Sequence, residues 1–420
     1  MSAVGYWPSY WPGEDGGPSR TQTVVGVDGP CLADGAVQVT HREAIAVTMI
    51  VLRSPGEVFA LRHTAGPTAV SWVERIDPVT LESLARSEDL AGGPTWPGGL
   101  AVHANGSLYV VFGSYAHRLD AALHVMVSRQ LDRNRPYNGF VILPDGHLVT
   151  KDFGGPLPGA RPDAPIEETC EVVVLEPEKL RIVARCAIPE ASIARLSADG
   201  DDVYVVGTQS LRRMRWNGIA LRLDDEFAPR YRTVDGQTYG WDAVIALGAA
   251  WFLDNGFGAE RYVGTFRDQG VNTAPLHLVR VDLATGGVGL TEICGLANGV
   301  IANPPLVDPL RMIVVGYDSG NGVLAAFDIA ADGSLTQRWR RDQNHACHQL
   351  LYADTGELLT TDHDSKRMMD QFVIVDIETG DERVRIDSGS PFQSVLFPAP
   401  GFGRDLYLCS FPTISRLAAK

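Results

Sequence analysis

The chain has 420 residues, 45% hydrophobic and 21% charged, and its 51 Asp and Glu outnumber its 36 Lys and Arg, for a formal charge of −15. The apolar fraction excludes a disordered or fibrous chain, and the acidic balance disfavours duplex nucleic acid or an anionic membrane surface as a partner. No run approaches the ~18 consecutive apolar residues of a spanning helix.

Residues 1–20 are rich in aromatics, Pro and Gly, with a repeated Tyr6-Trp7-Pro8 and Tyr10-Trp11-Pro12. They lack the basic start and apolar core of a secretory signal, so the expected location is the cytoplasm. The paired motif reads as a strap packing its rings against a neighbouring surface, or as a cover over a channel. The six Cys (31, 170, 186, 294, 347 and 409) are scattered with no C-x-x-C pair, which predicts free thiols.

From Thr48 onward one unit recurs: an apolar run, a tight turn, and a second β-rich run ending in polar residues. Its clearest copy is Asn138-Gly139, FVIL, the turn Pro144-Asp145-Gly146, then HLVTKD. Eight copies begin at Thr48, Gly98, Asn138, Ser192, Asp242, Asn298, His348 and Gln393, spaced by 50, 40, 54, 50, 56, 50 and 45 residues. A second strand pair follows most copies, as in CEVVVLEP and LRIVARC. Four-stranded units at a steady period, without helical periodicity, predict an all-β fold: a β-propeller of eight four-stranded blades, or seven if one hairpin is irregular. The eighth unit is one strand short, so TQTVVGV (21–27) or AVQVT (36–40) is expected to close the ring and remove its exposed edge. Residues 1–45 are thus an extension with the closing strand, and 46–420 a single propeller domain.

In a propeller the start of each first strand and the end of each second strand reach one mouth of the central channel. The repeat starts are free of Val, Ile, Leu and Phe, and the second-strand ends add Lys151-Asp152, Asp254-Asn255, Tyr317-Asp318 and Asp362-His363-Asp364. His345 lies just ahead of copy seven, and Lys151 is one of only four lysines. Oxygens of Asn138, Asp242 and Asn298 suit a hard divalent cation, Ca²⁺ first, while the imidazole of His348 moves the preference toward Zn²⁺ or another transition metal. Such a cation polarises an ester or lactone carbonyl, with Asp242, Asp318 or His348 taking a proton from water and Lys151 facing the oxyanion. His345, His363, Asp152 and Gln393 are expected to contact a small-molecule substrate. The competing reading of every one of these residues is a strand-end cap on backbone groups. No G-x-S-x-G, H-E-x-x-H, P-loop or EF-hand sequence is present.

The stretch ANGVIANPPLVDPLRMIVVGYDSGNGVLAAFDIAADGSL, within residues 295–335, resembles the SMP-30/gluconolactonase-like propellers. The resemblance implies a divalent-metal role for Asn298, and PYNGFVILPDGHLV, of the same blade pattern, implies a metal or substrate contact for Asn138. Where that family places an Asp ligand in its next blade, this chain has His348, and the family has six blades where eight are counted here. The function expected is a metal-dependent hydrolase of a small ester or lactone. The alternatives are a propeller lyase or quinone-dependent oxidoreductase, although no regular Trp-docking repeat is seen, and a non-catalytic binding propeller.

Overall fold

Each repeat folds as its hydrophobic pattern directs. Val47–Leu52, VTMIVL, is buried along its whole length because an innermost strand is covered on both faces by adjacent blades. Fourth strands face solvent on one side and alternate, as in Val125–Gln130. The computed structural model describes residues 3–31, 36–155 and 169–420. It contains eight sheets of four strands or more, antiparallel except for one short N-terminal strand. Their innermost strands are Val47–Leu52, Gly99–Val102, Tyr137–Ile142, Ser197–Asp199, Val244–Ala246, Leu306–Asp308, Leu350–Tyr352 and Ala399–Pro400. Blade packs on blade around a closed circle, with the first strand of blade one against that of blade two and, on its other side, against blade eight. The architecture is an eight-bladed β-propeller. Among the described residues the helical content is two 3₁₀ turns, Glu14–Gly16 and Ala259–Arg261, and no helix is long and apolar enough to cross a membrane.

The two spare N-terminal pieces do different jobs. Val37–Glu43 is the outermost strand of blade eight, antiparallel to Thr413–Ala419 with Val37 opposite Ala419 and Glu43 opposite Thr413. It completes the four strands that the C-terminal repeat lacks. Thr23–Val24 instead lies parallel to the innermost strand of blade seven, inside the channel.

That placement belongs to a longer feature. Residues 5–24 run as a strap along the inner strands, on the side of the first-hairpin turns, here termed the bottom. Inner strands of a propeller leave backbone groups unpaired toward the axis, and the strap satisfies them. Leu52 N–H donates to Trp11 O, Val102 N–H to Pro12 O, Ala198 N–H to Pro18 O, Ile245 N–H to Ser19 O, and Leu351 N–H to Gln22 O. Tyr6 Oη accepts from Ile142 N–H, and Gln22 reaches blade six through Pro305 O. Tyr6 and Trp11 are buried in this contact. One short segment thereby stitches seven blades, and the closing strand binds the eighth.

Candidate functional site at the channel mouth

The repeat starts do not share one environment, and backbone geometry explains why. Asn138 is the second residue of the inner strand of blade three, is buried, and donates from Nδ2 to Ile193 O at 2.8 Å. Asp242 precedes blade five; its Oδ1 accepts the Arg195 amide at 2.6 Å and its Oδ2 lies 3.8 Å from Arg195 Nε. His348 Nδ1 lies 2.9 Å from Asp15 Oδ1 of the strap. Asn298 is exposed in a left-handed conformation (φ 63°), because the inner strand of blade six does not begin until Leu306. Turn glycines align the first hairpins of the repeats, but the connections between blades vary in length, so equal offsets from the turn do not give equal positions around the axis. Asn138, Asp242 and His348 are thus buried, each with its own protein contact, whereas Asn298 is exposed. Among the described residues no three His, Cys, Asp or Glu side chains are grouped to hold a metal ion.

The second-strand ends follow a common rule. Asp152 Oδ1 accepts Glu171 N–H at 2.7 Å, Asp254 Oδ1 accepts His277 N–H at 2.7 Å, Asp318 Oδ1 accepts Asn321 N–H at 3.1 Å, and Asp362 Oδ1 accepts Asn344 N–H at 2.8 Å. Glu171 and His277 belong to the third strands of their blades and Asn321 and Asn344 to connections, so each carboxylate ties a second-strand end to a neighbouring backbone amide. Burial raises the carboxyls of Asp254 and Asp318 above the usual range. Asp152 also pairs with Arg133 at 2.9 Å. Lys151 is buried, with Nζ donating to Asp152 O at 3.0 Å and Ser192 O at 2.9 Å; burial lowers its ammonium pKa against the opposing pull of Cys170 and Asp152. His363 lies with Nε2 3.1 Å from Pro391 O. Gln393 accepts Phe266 N–H and donates to Asn344 O.

What does converge on the axis is a network of buried ionic groups. The first 3₁₀ turn of the strap brings in Glu14 and Asp15. Arg20 reaches Glu14 at 2.7 Å and Asp15 at 3.1 Å, and Arg195 reaches Glu14 at 3.0 Å. With Asp242 and His348 the network has six members from the strap and blades four, five and seven, none more than 6% exposed at its side chain. Arg195 also donates to Pro97 O and Gly98 O, and Arg20 to Leu196 O. Gly139 fits because it is a glycine: its φ is +114°, and a Cβ there would lie 2.6 Å from Arg195 Nη1 and 2.9 Å from Glu14 Oε1.

Around the network stands an aromatic wall that repeat counting did not single out. Trp96, from the turn-rich GGPTWPGG, stacks on Phe153 (centroids 4.1 Å) and parallels Trp241 at 6.1 Å. Trp241 is buried, and its Nε1 has no partner. Tyr317 meets His345 edge to face at 4.5 Å, and Tyr317 Oη and His345 Nε2 are likewise without partners. Burial depresses the His345 imidazole to about 3. These rings sit singly in connections or beside anchors, so no period marks them; the one available signal was Trp241 directly before Asp242.

The connection between Ala249–Leu253 and His277–Asp282 forms a cap over blades six to eight. Tyr262 Oη donates to Gln393 O, Gln393 N–H to Gly264 O, and Asn298 N–H to Asn272 O. At the bottom, the strap leaves a cavity of about 720 Å³ bordered by Tyr10, Thr21, Arg53, Pro309 and Phe402.

No protein-family model matches the chain, and no curated protein matches it in sequence. Solved structures are similar in fold. BamB from Moraxella catarrhalis superposes with a TM-score of 0.61 at 12% identity, over 91% of this chain and 100% of its own. The computationally designed Ika8 protein gives 0.57 at 10% identity, over 93% and 98%. Apo AztD from Citrobacter koseri gives 0.50 at 12% identity, over 85% and 97%. At such identities the similarity extends to the propeller fold alone.

Proposed function

We propose that the protein binds a small oxygen-bearing molecule at the top mouth and hydrolyses it, with small esters and lactones as the substrate class. The observation that supports this reading is the junction of the Phe153–Trp96–Trp241 wall with the carboxylate of Asp242, in a channel crossed at the other side by the strap. The wall supplies apolar contact for a ring or acyl group. Asp242 Oδ1 is committed to the Arg195 amide, which leaves Oδ2 as the oxygen to take a proton from water. Water adds to the acyl carbon, the acyl C–O bond breaks, and the proton passes from Asp242 to the departing alkoxide.

The test is hydrolysis of p-nitrophenyl acetate and a panel of γ- and δ-lactones by the wild type and Asp242→Asn. The expected result is turnover by the wild type and a loss of at least ~100-fold in the variant. Parallel assays with EDTA, Ca²⁺ and Zn²⁺ separate a metal-assisted reaction from one carried by Asp242 alone. No turnover under any of these conditions overturns the proposal and leaves a non-catalytic binding propeller.

A further inference from the structure

Tyr317 is the penultimate residue of one blade's second strand and His345 lies in the approach to the next blade, and their buried rings meet edge to face. Burial first, and then Cys347, Asp242 and Asp15, hold the Tyr317 phenol well above its ordinary value. His345 Nδ1 accepts the N–H of Thr361 at 3.1 Å. A ring nitrogen that accepts from an amide carries no proton, so the neutral imidazole bears its proton on Nε2 and is a donor there. The pair therefore offers two buried donors, Oη–H and Nε2–H, neither of which makes a well-formed hydrogen bond within the protein, the Cys347 backbone being the nearest help to the imidazole. An unmatched buried donor is destabilising, and two on rings whose centroids lie 4.5 Å apart call for an acceptor oxygen.

The surroundings select the kind of oxygen. Arg20 and Arg195 spend their guanidinium bonds on Glu14, Asp15 and the carbonyls of Leu196, Pro97 and Gly98. Lys151 donates to two carbonyls. A carboxylate entering here meets Asp15 and Asp242 without an uncommitted cation, whereas a neutral carbonyl needs donors only.

We infer that Tyr317 Oη and His345 Nε2 form the cradle for the carbonyl oxygen of a neutral ester or lactone, and that the carboxylate formed on ring opening is rejected from the same place. This rests on the proposed function, and it assigns the polarising groups for that reaction to two residues outside the Asp242 pair. A neutral imidazole N–H and a phenol O–H both strengthen their bonds as the carbonyl oxygen gains charge.

The experiment uses the full chain labelled with ¹⁵N-histidine, with the Nε2–H signal of His345 assigned through His345→Gln. The probes are 2-pyrrolidinone, a lactone-sized ring amide that resists hydrolysis, and 4-hydroxybutyrate, a ring-opened carboxylate. The expected result is that 2-pyrrolidinone shifts the His345 Nε2–H signal and quenches tryptophan fluorescence, that 4-hydroxybutyrate does neither at the same concentration, and that Tyr317→Phe weakens 2-pyrrolidinone binding about 10-fold, one hydrogen bond's worth, with an unchanged near-ultraviolet circular dichroism spectrum. Quenching without a His345 shift, with Tyr317→Phe binding as well as wild type, overturns the cradle and leaves the mouth as a binding site. Equal binding of the carboxylate overturns the assignment of ligand class. Absence of both quenching and shift removes the mouth reading together with the cradle.

Discussion

His348 Nδ1 and Asp15 Oδ1 lie 2.9 Å apart, both buried, and this pair ties the strap to blade seven. Burial alone would raise the Asp15 carboxyl, but His348 and then Arg20 outweigh it and hold it below its ordinary value. A carboxyl whose folded pKa is depressed stabilises the fold above its unfolded value near ~3.9 and loses that contribution as pH falls through the folded value. Wild type should therefore lose more unfolding free energy than Asp15→Asn between about pH 5 and pH 3. Urea unfolding at the two pH values checks this; parallel losses would mean that the pair does not anchor the strap.

Gly139 provides a direct probe of the axial network. A methyl group at this position meets Arg195 Nη1 at 2.6 Å and Glu14 Oε1 at 2.9 Å, and the φ of +114° disfavours any L side chain. Gly139→Ala should destabilise by about 2–4 kcal/mol, combining backbone strain with a disturbed buried ion pair. Gly200→Ala is the control, since φ is also positive (+58°) but nothing lies within 4 Å of its Cβ. Equal costs for the two substitutions in thermal unfolding would show that strain alone acts, and that the network tolerates the displacement.

Legibility in the sequence divides along the same line as periodicity. The first hairpins carry glycine turns and alternating apolar runs, so eight copies and four-stranded blades were readable, as was the need for an N-terminal closing strand. Asn298 shows where the reading stopped. It has the same motif start as Asn138, yet the inner strand of its blade begins at Leu306, and connection length is not encoded in a turn. Glu14 and Asp15 were invisible as members of an axial network, because their partners Arg195 and His348 lie more than a hundred residues away and nothing periodic links them. The strap sequence suggested aromatic packing; it did not encode that its backbone would complete the inner edges of seven blades.

Asp370 reverses the usual sign of a carboxylate's contribution. It is fully buried in blade seven, opposite His363 across the strand pair, and its oxygens make no well-formed hydrogen bond, the Ser394 amide being the nearest help. Burial pushes its carboxyl well above the usual range, and the charge of Asp362 adds to this. With the folded pKa raised, the associated stability is complete below the unfolded value near ~3.9 and is lost as pH rises through the folded one. Asp370→Asn should thus be more stable than wild type at about pH 8, by roughly 1–3 kcal/mol, and gain nothing at about pH 4. A variant no more stable than wild type at the higher pH would indicate a counter-charge or an acceptor that meets the ionised form.

Gly256 is where the cap crosses Trp241. Its N–H donates to Tyr239 O at 2.8 Å, and a Cβ there would stand 2.4 Å from Trp241 Nε1 and 3.0 Å from Tyr239 O. Tyr239 O is backbone and cannot give way, so either the indole turns out of its stack with Trp96 or the cap lifts from it. Both outcomes expose Trp241, and overpacking of this kind costs about 1–3 kcal/mol. Gly256→Ala should shift tryptophan emission to the red, raise its quenching by acrylamide, and weaken any ligand held against the aromatic wall. Emission and quenching identical to wild type would mean that the cap does not rest on Trp241, and that access to the mouth is controlled from the Phe153 side instead.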